Sequence, residues 1–435
     1  MSTAAGFPNW VMLEPVVFRR DDDKSFPDES KAPVRASGTT SWEAQFRFAF
    51  DLAEPPSISR IFAQLPGFPG PSKESPLAML TTHRHLALFR VGTTRPCRRK
   101  NFFIYSAGKP SSLEKLPTCT RDLERVLHDG SPSRRPPETG KMSRLHSVRS
   151  MGLLCQGEEE FAVAELHLYP DKRKRKVFAD IYLFLKSAGK WTSSRLPILH
   201  SDDPDDAWQL CIWLTDTVIP VDRWLCWIDY DRGILFHDVF GAAATVSFLR
   251  FPLHKFSRTP PDIRRECSGR IYRGVSAIDA AGMLKFVDVT RDDGIGYGAL
   301  KPGAGFTITC HTLLPSSLSS GMVWNKDWTV TSDELWTDNR LPREVPMFPQ
   351  VNIDRPHVVH FLISDFTYMM KKMWVVTIDM NTRTVESFYQ YINGEEDIGT
   401  ELEFLTKERS MGPRPFLPSE FSKYLSSRTG LPSVE

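Results

Sequence analysis

The sequence predicts an all-β fold, and three features carry this prediction. Most apolar runs are short, rich in β-branched and aromatic residues, and bounded by Gly, Pro, Asn, Asp or Ser, as is typical of strands. Examples are "QFRFAF", "HLALFRV" and "FTITCHTLL". Helical periodicity is scarce by comparison. A strand, turn, strand unit also recurs along the chain, which indicates many antiparallel hairpins.

The recurring unit predicts a single, kelch-like β-propeller. Three hairpins end in Leu-Pro, namely "FAFDLAEPPSISRIFAQLP", "FFIYSAGKPSSLEKLP" and "YLFLKSAGKWTSSRLP". The first two Leu-Pro pairs are about 50 residues apart, which is typical of propeller blades. The hairpins that contain Asp229 and Asp379 repeat the same pattern, three such periods apart. We therefore predict six blades.

The blades are expected to occupy residues 44–400, interrupted at about 128–145 by a Pro- and Arg-rich insertion that we expect to be a mobile loop. Residues 1–43 are expected to form an N-terminal arm and edge strand, and residues 401–435 a tail with a short helix. Only two segments have the spacing of apolar residues that is typical of a helix. In "TRDLERVL" one face carries Leu123, Val126 and Leu127. In "PSEFSKYLSS" one face carries Phe421, Tyr424 and Leu425, and Ser419 is the expected N-cap.

The stretch "RWLCWIDYDRGILFHDVF", residues 223–240, fits one hairpin of a blade. Alternation places Trp224, Cys226 and Ile228 on one face of a strand and Leu225 and Trp227 on the other. Both faces are apolar, as expected of a blade packed between two neighbours. Asp229 then opens a turn, and Gly233 is expected to supply the permissive backbone conformation there.

Composition excludes several classes of protein. The chain has 435 residues, with 55 Lys plus Arg against 53 Asp plus Glu, so no overall field favours nucleic acid or an anionic membrane. Its seven cysteines form no C-x-x-C pair, which indicates reduced thiols and no zinc site. No run of about 18 apolar residues occurs, and the first residues lack a secretory pattern. We expect a cytoplasmic protein, with mitochondrial import as the alternative.

Two groups of residues are candidates for catalysis. Cys226 with His237 and Asp229 or Asp238 resembles a nucleophile, base and orienter, but a mid-strand thiol among aromatic residues is expected to be inert. Cys211 is likewise expected to resist thiol reagents. Asp229, Asp279 and Asp379 each end a strand, and we expect Asx turns there rather than the paired acids of a propeller hydrolase.

The remaining motifs predict loops and turns. The cluster "HSDDPDDAW" lacks the glycine and the downstream Glu of a calcium loop and is expected to be solvated. The stretch "RDDGIGYGALKPGAGF" and the two "SAGK" tetrapeptides do not match phosphate-binding motifs, and the histidines show no H-E-x-x-H. The sequence therefore predicts no catalytic, cofactor-binding or metal-binding residue.

One short signal is a candidate nuclear-import patch, formed by Lys172, Arg173, Lys174, Arg175 and Lys176. The run separates two predicted strands, so the cations are expected at a hairpin tip, where like charges repel least when solvated. We expect a nuclear fraction that falls when the run is neutralised. Together with "RPCRRK" and the Arg134/Arg135 pair, the run also suggests an RNA-binding face, but no aromatic residues are interleaved there to stack on bases.

Five segments, "WVMLEPVVFRRDDDKSFPDE", "RSMGLLCQGEEEFAVAELHLY", "RWLCWIDYDRGILFHDVF", "MLKFVDV" and "FLPSEFSKYL", resemble a plant family known as domain of unknown function 1618, which is expanded in grasses. The resemblance implies sheets like the propellers found behind F-boxes, and it brings no catalytic residue or cofactor. Members of that family are associated with stress and reproductive isolation. Residues 1–45 contain no Leu-Pro-led helical module, which argues against a ubiquitin-ligase adaptor.

We expect a non-catalytic protein-interaction module whose partner is another protein, because propellers bind through loops at the channel mouth. The rival interpretations are a hydrolase that uses channel carboxylates and an RNA-binding scaffold. Nucleic acid and membrane are not expected as partners.

Overall fold

The fold is built almost entirely from β-strands. The computed structural model describes residues 7–68, 76–93, 100–107, 111–122, 141–143, 148–171, 176–201, 203–242, 244–253, 268–278, 281–296, 298–314, 322–338, 340–364, 372–392 and 415–425. Within them lie 27 strands and a few short helices. None of the helices in these ranges has the length and apolar composition needed to cross a membrane.

Five four-stranded antiparallel meanders, in which consecutive strands are neighbours, make up three separate sheets and one eight-stranded sheet. We call the meanders blades 2 to 6. Blade 2 contains β5 (Leu77–His83), β6 (Leu86–Gly92), β7 (Lys100–Ser106) and β8 (Ser112–Lys115), and blade 3 contains β11 (Met151–Gln156), β12 (Glu160–Asp171), β13 (Lys176–Leu185) and β14 (Lys190–Leu199). Blade 4 contains β15 (Thr217–Val221), β16 (Trp224–Asp229), β17 (Gly233–Asp238) and β18 (Val246–Arg250).

Blade 5 contains β19 (Arg273–Ile278), β20 (Met283–Arg291), β21 (Phe306–Leu313) and β22 (Asn325–Thr331), and blade 6 contains β23 (Met347–Val351), β24 (Val358–Ser364), β25 (Met373–Asp379) and β26 (Thr384–Ile392). Blades 3 and 4 also touch through a short parallel pairing of β14 with β18. A separate two-stranded ladder joins β9 (Thr120–Asp122) to β10 (Lys141–Ser143).

Blade 1 is assembled from both ends of the chain. Its strands are β1 (Val11–Arg19), β2 (Val34–Thr39), β3 (Gln45–Asp51), β4 (Ile58–Gln64) and β27 (Leu417–Ser419). They lie in the order β2-β3-β4-β1-β27. β1 runs parallel to β4 and antiparallel to β27, so the last described strand closes the ring beside the first.

The blades pack as a ring around an axis lined by their inner strands. β1 contacts β5, β5 contacts β11, β11 contacts β15, β15 contacts β19 and β19 contacts β23. Apolar cores fill the spaces between successive blades, and the core between blades 5 and 6 continues onto β1. Because each blade needs apolar faces on both sides, strand runs such as Trp224 to Ile228 of β16 are apolar on both faces. The protein is an all-β propeller, with six blades in the described residues.

The expected repeat of about 50 residues is wrong. Blades 2 to 6 begin at Leu77, Met151, Thr217, Arg273 and Met347, so their spacing varies with the lengths of loops and hairpins. The three Leu-Pro hairpins are β3–β4, β7–β8 and β13–β14, and they do not occupy equivalent places. In blade 1 the hairpin leads inward, because β1 and β27 lie on the inner side of β4, whereas in blades 2 and 3 it forms the outer end of the meander.

The chain ends and the insertion differ in detail from the expected pattern. Residues 1–43 contribute β1 to the middle of blade 1 and β2 to its edge. The expected helix at "TRDLERVL" begins instead as strand β9, and Leu123, Val126 and Leu127 lie outside the described residues. Lys141–Ser143, within the expected mobile loop, form strand β10, and residues 128–140 and 144–145 lie outside the described residues.

The short C-terminal helix is a single 3₁₀ turn over Phe421–Tyr424. Ser419, expected as its N-cap, is the last residue of β27, and its Oγ accepts the backbone N–H of Phe421 at 3.3 Å. Phe421 is buried in the core between blades 1 and 2, so the turn anchors the end of β27 to the ring. The other helices within the described ranges are α1 (Pro204–Cys211), α2 (Ser268–Tyr272) and α3 (Ser332–Leu335), with a 3₁₀ turn at Val148–Ser150.

Candidate binding site

A cavity of about 80 Å³ lies at the end of the ring where the inner strands β11 and β15 begin. Blade 1 contributes Pro15 and Leu417, blade 2 contributes Met79 and blade 3 contributes Met151. The turn between β16 and β17 and helix α2, which precedes blade 5, complete the wall. The cavity therefore lies where several blades converge, and no single blade forms it alone.

The polar part of the cavity wall consists of two guanidinium groups, one carboxylate and two hydroxyls: Arg149, Asp216, Thr217, Tyr230 and Arg270. Arg270 Nε donates to Asp216 Oδ1, and the backbone N–H of Tyr230 donates to Asp216 Oδ2 at 2.9 Å. The Asp216 side chain is only 6% exposed and that of Arg270 is 20% exposed. Burial raises the pKa of Asp216, whereas Arg270 acts in the opposite direction. This pair is a fixed feature of the wall.

A second ion pair lies behind this wall. Arg232 Nη1 donates to both carboxylate oxygens of Asp229 at 3.0 and 2.8 Å, and both side chains are 2% exposed. The backbone N–H groups of Leu214 and Asp231 also donate to Asp229, at 2.8 and 3.0 Å. Burial, followed by the nearby charge of Asp216, raises the pKa of Asp229 to about 7, and Arg232 opposes that rise.

Arg273 connects this region of blade 4 to blade 5. Its Nη1 donates to the Tyr230 carbonyl at 2.9 Å and to Asp231 Oδ1 at 3.1 Å, while its Nε donates to Asp288 Oδ1 at 2.7 Å. Because charge-assisted hydrogen bonds hold the turn from both blades, the backbone that carries Tyr230 at the cavity is fixed.

The expected faces of strand β16 are confirmed. Trp224, Cys226 and Ile228 pack in the core between blades 4 and 5, while Leu225 and Trp227 pack in the core between blades 3 and 4. The reason expected for Gly233 is wrong, since it is the first residue of β17 and has no positive φ. A Cβ atom at this position would lie 2.2 Å from the Leu249 carbonyl oxygen. Glycine is therefore required because the backbone of β18 packs closely against this position.

The structure does not assemble the candidate nucleophile. Cys226 is fully buried, and burial raises the pKa of its thiol well above the usual value. His237 Nδ1 lies 3.0 Å from the Thr245 carbonyl oxygen, and Asp238 accepts backbone N–H groups from Phe240 and Gly241. These residues therefore serve the strand and its following turn.

The three strand-ending aspartates have different surroundings. Asp379 caps a turn, because its Oδ1 accepts the N–H groups of Asn381 and Thr382 at 2.7 and 3.1 Å. Asp229 accepts the N–H of Asp231 as expected, but sequence reasoning missed its ion pair with Arg232. Asp279 lies outside the described residues.

Three aspartates of "HSDDPDDAW", Asp203, Asp205 and Asp206, begin a helix instead of the expected solvated loop, and Asp202 lies outside the described residues. Asp203 caps helix α1 by accepting the N–H of Asp205 at 2.9 Å, and Asp206 is buried against Arg250. Arg250 also lies 3.2 Å from Asp203 and 3.6 Å from Asp205. Proline in the first turn and acidic residues beside it fit the start of a helix, a signal present in the sequence.

Other sequence candidates fall in turns or outside the described part of the chain. Gly294, Gly298 and Gly303 of the glycine-rich stretch all have positive φ, as turns require. In the described ranges, no group of three or more His, Cys, Asp or Glu side chains is placed to hold a metal ion. The residues Arg95 to Arg99, Arg134 and Arg135 lie outside these ranges.

The basic run lies at the connection between β12 and β13. Asp171 pairs with Lys176 at the end of the ladder, and Lys176 is exposed. Lys172, Arg173, Lys174 and Arg175 lie outside the described residues. Nuclear import through this run stays a prediction.

The two thiols expected to be protected differ in their surroundings. Cys211, at the end of helix α1, is exposed, which contradicts that expectation, whereas Cys226 is buried. We expect N-ethylmaleimide at pH 8 to modify Cys211 in the folded protein and Cys226 only after unfolding, because partial burial raises the pKa of Cys211 but leaves it reachable. Peptide mass spectrometry measures both rates, with buried Cys310 as the internal control. Equal native rates at Cys226 and Cys211 would contradict this prediction.

The principal cavity residues had no sequence signal. Asp216 and Arg270 are separated by 54 positions and meet only because blades 4 and 5 are adjacent. Neither belongs to a motif. The one clue in the sequence was the position of Asp216, which directly precedes strand β15. Segments that connect blades lie at the ends of the ring, where propellers bind their ligands.

Comparisons with known proteins name no activity for this chain. Residues 227–360 match a family described as "Protein of unknown function (DUF1618)", and this segment runs from β16 in blade 4 to β24 in blade 6. No curated protein matches the chain. One similar solved structure is the β-propeller domain of the Trilobed protease from Pyrococcus furiosus, at 8% sequence identity and a TM-score of 0.27. That similarity covers 73% of this chain and 85% of the other.

Proposed function

We propose that the protein is a non-catalytic interaction module that binds a segment of a partner protein over the cavity at the start of the inner strands. The observation that carries the proposal is the convergence of blades 1 to 4 and helix α2 on one recess with both apolar and charged walls. A rigid scaffold that surrounds such a recess with connecting loops is a common binding arrangement.

The hydrolase alternative has less support from the same geometry. Asp229, its best candidate acid, is 1% exposed and its carboxylate oxygens are occupied by Arg232 and two backbone N–H groups. Asp216 reaches the cavity but is held by Arg270 and the N–H of Tyr230. A general acid or nucleophile needs an accessible carboxyl beside its substrate, and neither residue offers one.

The resemblance to the plant family supports a role in stress or reproduction as a further part of the proposal. The basic run at the β12–β13 connection supports a cytoplasmic protein with a nuclear fraction. The biological role and the localisation concern the setting in which the partner is met, whereas the cavity concerns the way in which the partner is bound.

Filling the cavity tests the proposal. Thr217 lines it at the start of β15, so Thr217→Phe is expected to exclude a partner side chain while leaving all charged residues in place. The matched control is Thr192→Phe, because Thr192 is exposed on the outer strand of blade 3. Both variants are compared with the parent by quantitative mass spectrometry of proteins captured from native tissue, after thermal melting has verified folding.

We expect at least one protein to be captured by the parent and by Thr192→Phe but reduced at least about tenfold by Thr217→Phe, a loss of about 1.4 kcal/mol in binding. Equal capture of every partner by the folded Thr217→Phe variant would place binding elsewhere and contradict the proposal.

A further inference from the structure

The cavity wall carries charges of both signs. Arg149 and Arg270 each contribute a guanidinium group, and Asp216 contributes a carboxylate that is already bound by Arg270 Nε and by the backbone N–H of Tyr230. A ligand carboxylate would therefore be bound by guanidinium donors that Asp216 does not occupy.

Arg270 is positioned in advance to bind such a group. Its Nε is held by Asp216, whose other oxygen is fixed by the Tyr230 N–H, so the plane of the guanidinium is set before any ligand arrives. Its terminal amino nitrogens have no hydrogen-bond partner among the described residues. A guanidinium bound through one nitrogen can still present two parallel N–H donors to a carboxylate.

The size and the apolar wall of the cavity restrict what can enter. About 80 Å³ is enough for roughly three water molecules, which matches the few heavy atoms of one side chain and is far below the roughly 300 Å³ of drug-sized pockets. Met79, Met151 and Leu417 would surround the methylene groups of the side chain, and methionine adapts readily to such contacts.

We propose that the cavity receives one aspartate or glutamate side chain of the partner protein, with Arg270 as the residue that recognises its carboxylate. This inference rests on the proposed function, since it names the partner group bound at the same site. The apolar wall excludes water around the ion pair and thereby strengthens it. Specificity over the neutral amide follows because an amide supplies only one acceptor oxygen and no charge.

The test uses small probes, so it does not depend on identifying the partner. The full chain, with ¹³C-methyl methionine, is titrated with N-acetyl-glutamate methylamide and with the glutamine equivalent, and the shifts of the Met79 and Met151 methyl signals report occupancy. We expect millimolar binding of the glutamate probe, as suits one isolated side chain, and at least about tenfold weaker binding of the glutamine probe.

Substitutions assign the recognition to Arg270. Arg270→Gln is expected to abolish the shifts and Arg270→Lys to weaken binding at least about fivefold, because an ammonium group lacks the fork of donors. The matched control, Arg195→Gln, removes an Arg–Asp pair from the outer strand of blade 3 and should leave binding unchanged. If Arg270→Gln unfolds, Asp216→Asn with Arg270→Gln removes one charge of each sign, leaves the net charge of the wall unchanged and should fold without binding the probe.

The inference would be overturned by equal binding of both probes or by unchanged binding to Arg270→Gln. At least tenfold tighter binding of free glutarate would also overturn it, because that result would indicate a small dicarboxylate as the ligand. Loss of a partner by Thr217→Phe together with no shift on adding the glutamate probe would contradict this inference and leave the proposed function standing.

Discussion

Trp227→Ala is expected to lower the free energy of unfolding by about 3 to 5 kcal/mol, as a large cavity in a packed core does. The ring is fully buried in the core between blades 3 and 4. Its Nε1 also donates to the Ser150 carbonyl at 2.8 Å, so the side chain bonds directly to the segment that starts blade 3. The substitution removes both the packing and this connection between blades.

Urea unfolding of the parent and two further variants measures the effect. Trp208→Ala is the control, because Trp208 is 47% exposed on helix α1 and its loss should cost less than about 1 kcal/mol. Trp227→Phe keeps most of the packing but leaves the Ser150 carbonyl without its donor, so an intermediate loss is expected. A Trp227→Ala variant within 1 kcal/mol of the parent would show that the interface between blades 3 and 4 contributes little.

Local pattern was sufficient to predict the strands and their faces. The alternation in "WLCWID" places side chains on two sides of β16, and the structure sends them into two different cores. This works because the pleat of a strand repeats every two residues, so its two faces follow from sequence alone. An all-apolar strand also indicated a blade with neighbours on both sides.

The order of strands within a blade was not predictable in the same way. The hairpin of β3 and β4 has a sequence pattern similar to that of β7 and β8. However, β4 lies in the interior of its sheet beside β1, whereas β8 is the outer edge strand of its sheet. The local sequence predicts that a hairpin and its turn form. The position of a hairpin in its sheet depends on which distant strand pairs with it, and here that strand comes from the start of the chain.

The cavity was unpredictable for a related reason. Its charged wall joins Asp216 to Arg270, and its apolar wall joins Pro15 to Met79 and Leu417, so each contact requires the ring to be closed. The Asp229 turn was predicted because it is local. Its partner Arg232 is only three residues away, but their burial together depends on blade 5 covering the turn through Arg273.

Arg232→Met is the second substitution with a large expected effect, about 3 to 5 kcal/mol at pH 8.5, because it leaves the carboxylate of Asp229 buried without its counter-charge. Arg232 is 1% exposed, and methionine retains much of its aliphatic stem, so the loss is mainly electrostatic. The effect is expected to depend on pH, since the surviving carboxyl can avoid the penalty by taking up a proton.

The direction of this pH dependence follows from the raised pKa of Asp229. A carboxyl whose pKa is higher in the folded protein than in the unfolded chain, where it is about 3.9, contributes most stability at low pH and loses it as pH rises through the folded value. In the parent that loss ends near the folded pKa of about 7. Without Arg232, which lowers the pKa, the loss continues above pH 7.

The deficit of Arg232→Met relative to the parent should therefore be smaller at pH 5.5 than at pH 8.5, measured by urea unfolding at both. Asp229→Asn with Arg232→Met removes the titrating group, so its deficit should be similar at the two pH values and smaller than that of the single variant at pH 8.5. If the single variant loses the same stability at pH 5.5 and at pH 8.5, the charge of Asp229 does not depend on Arg232. The carboxyl group of Asp229 would then be held by packing and by the backbone N–H groups of Leu214 and Asp231 alone.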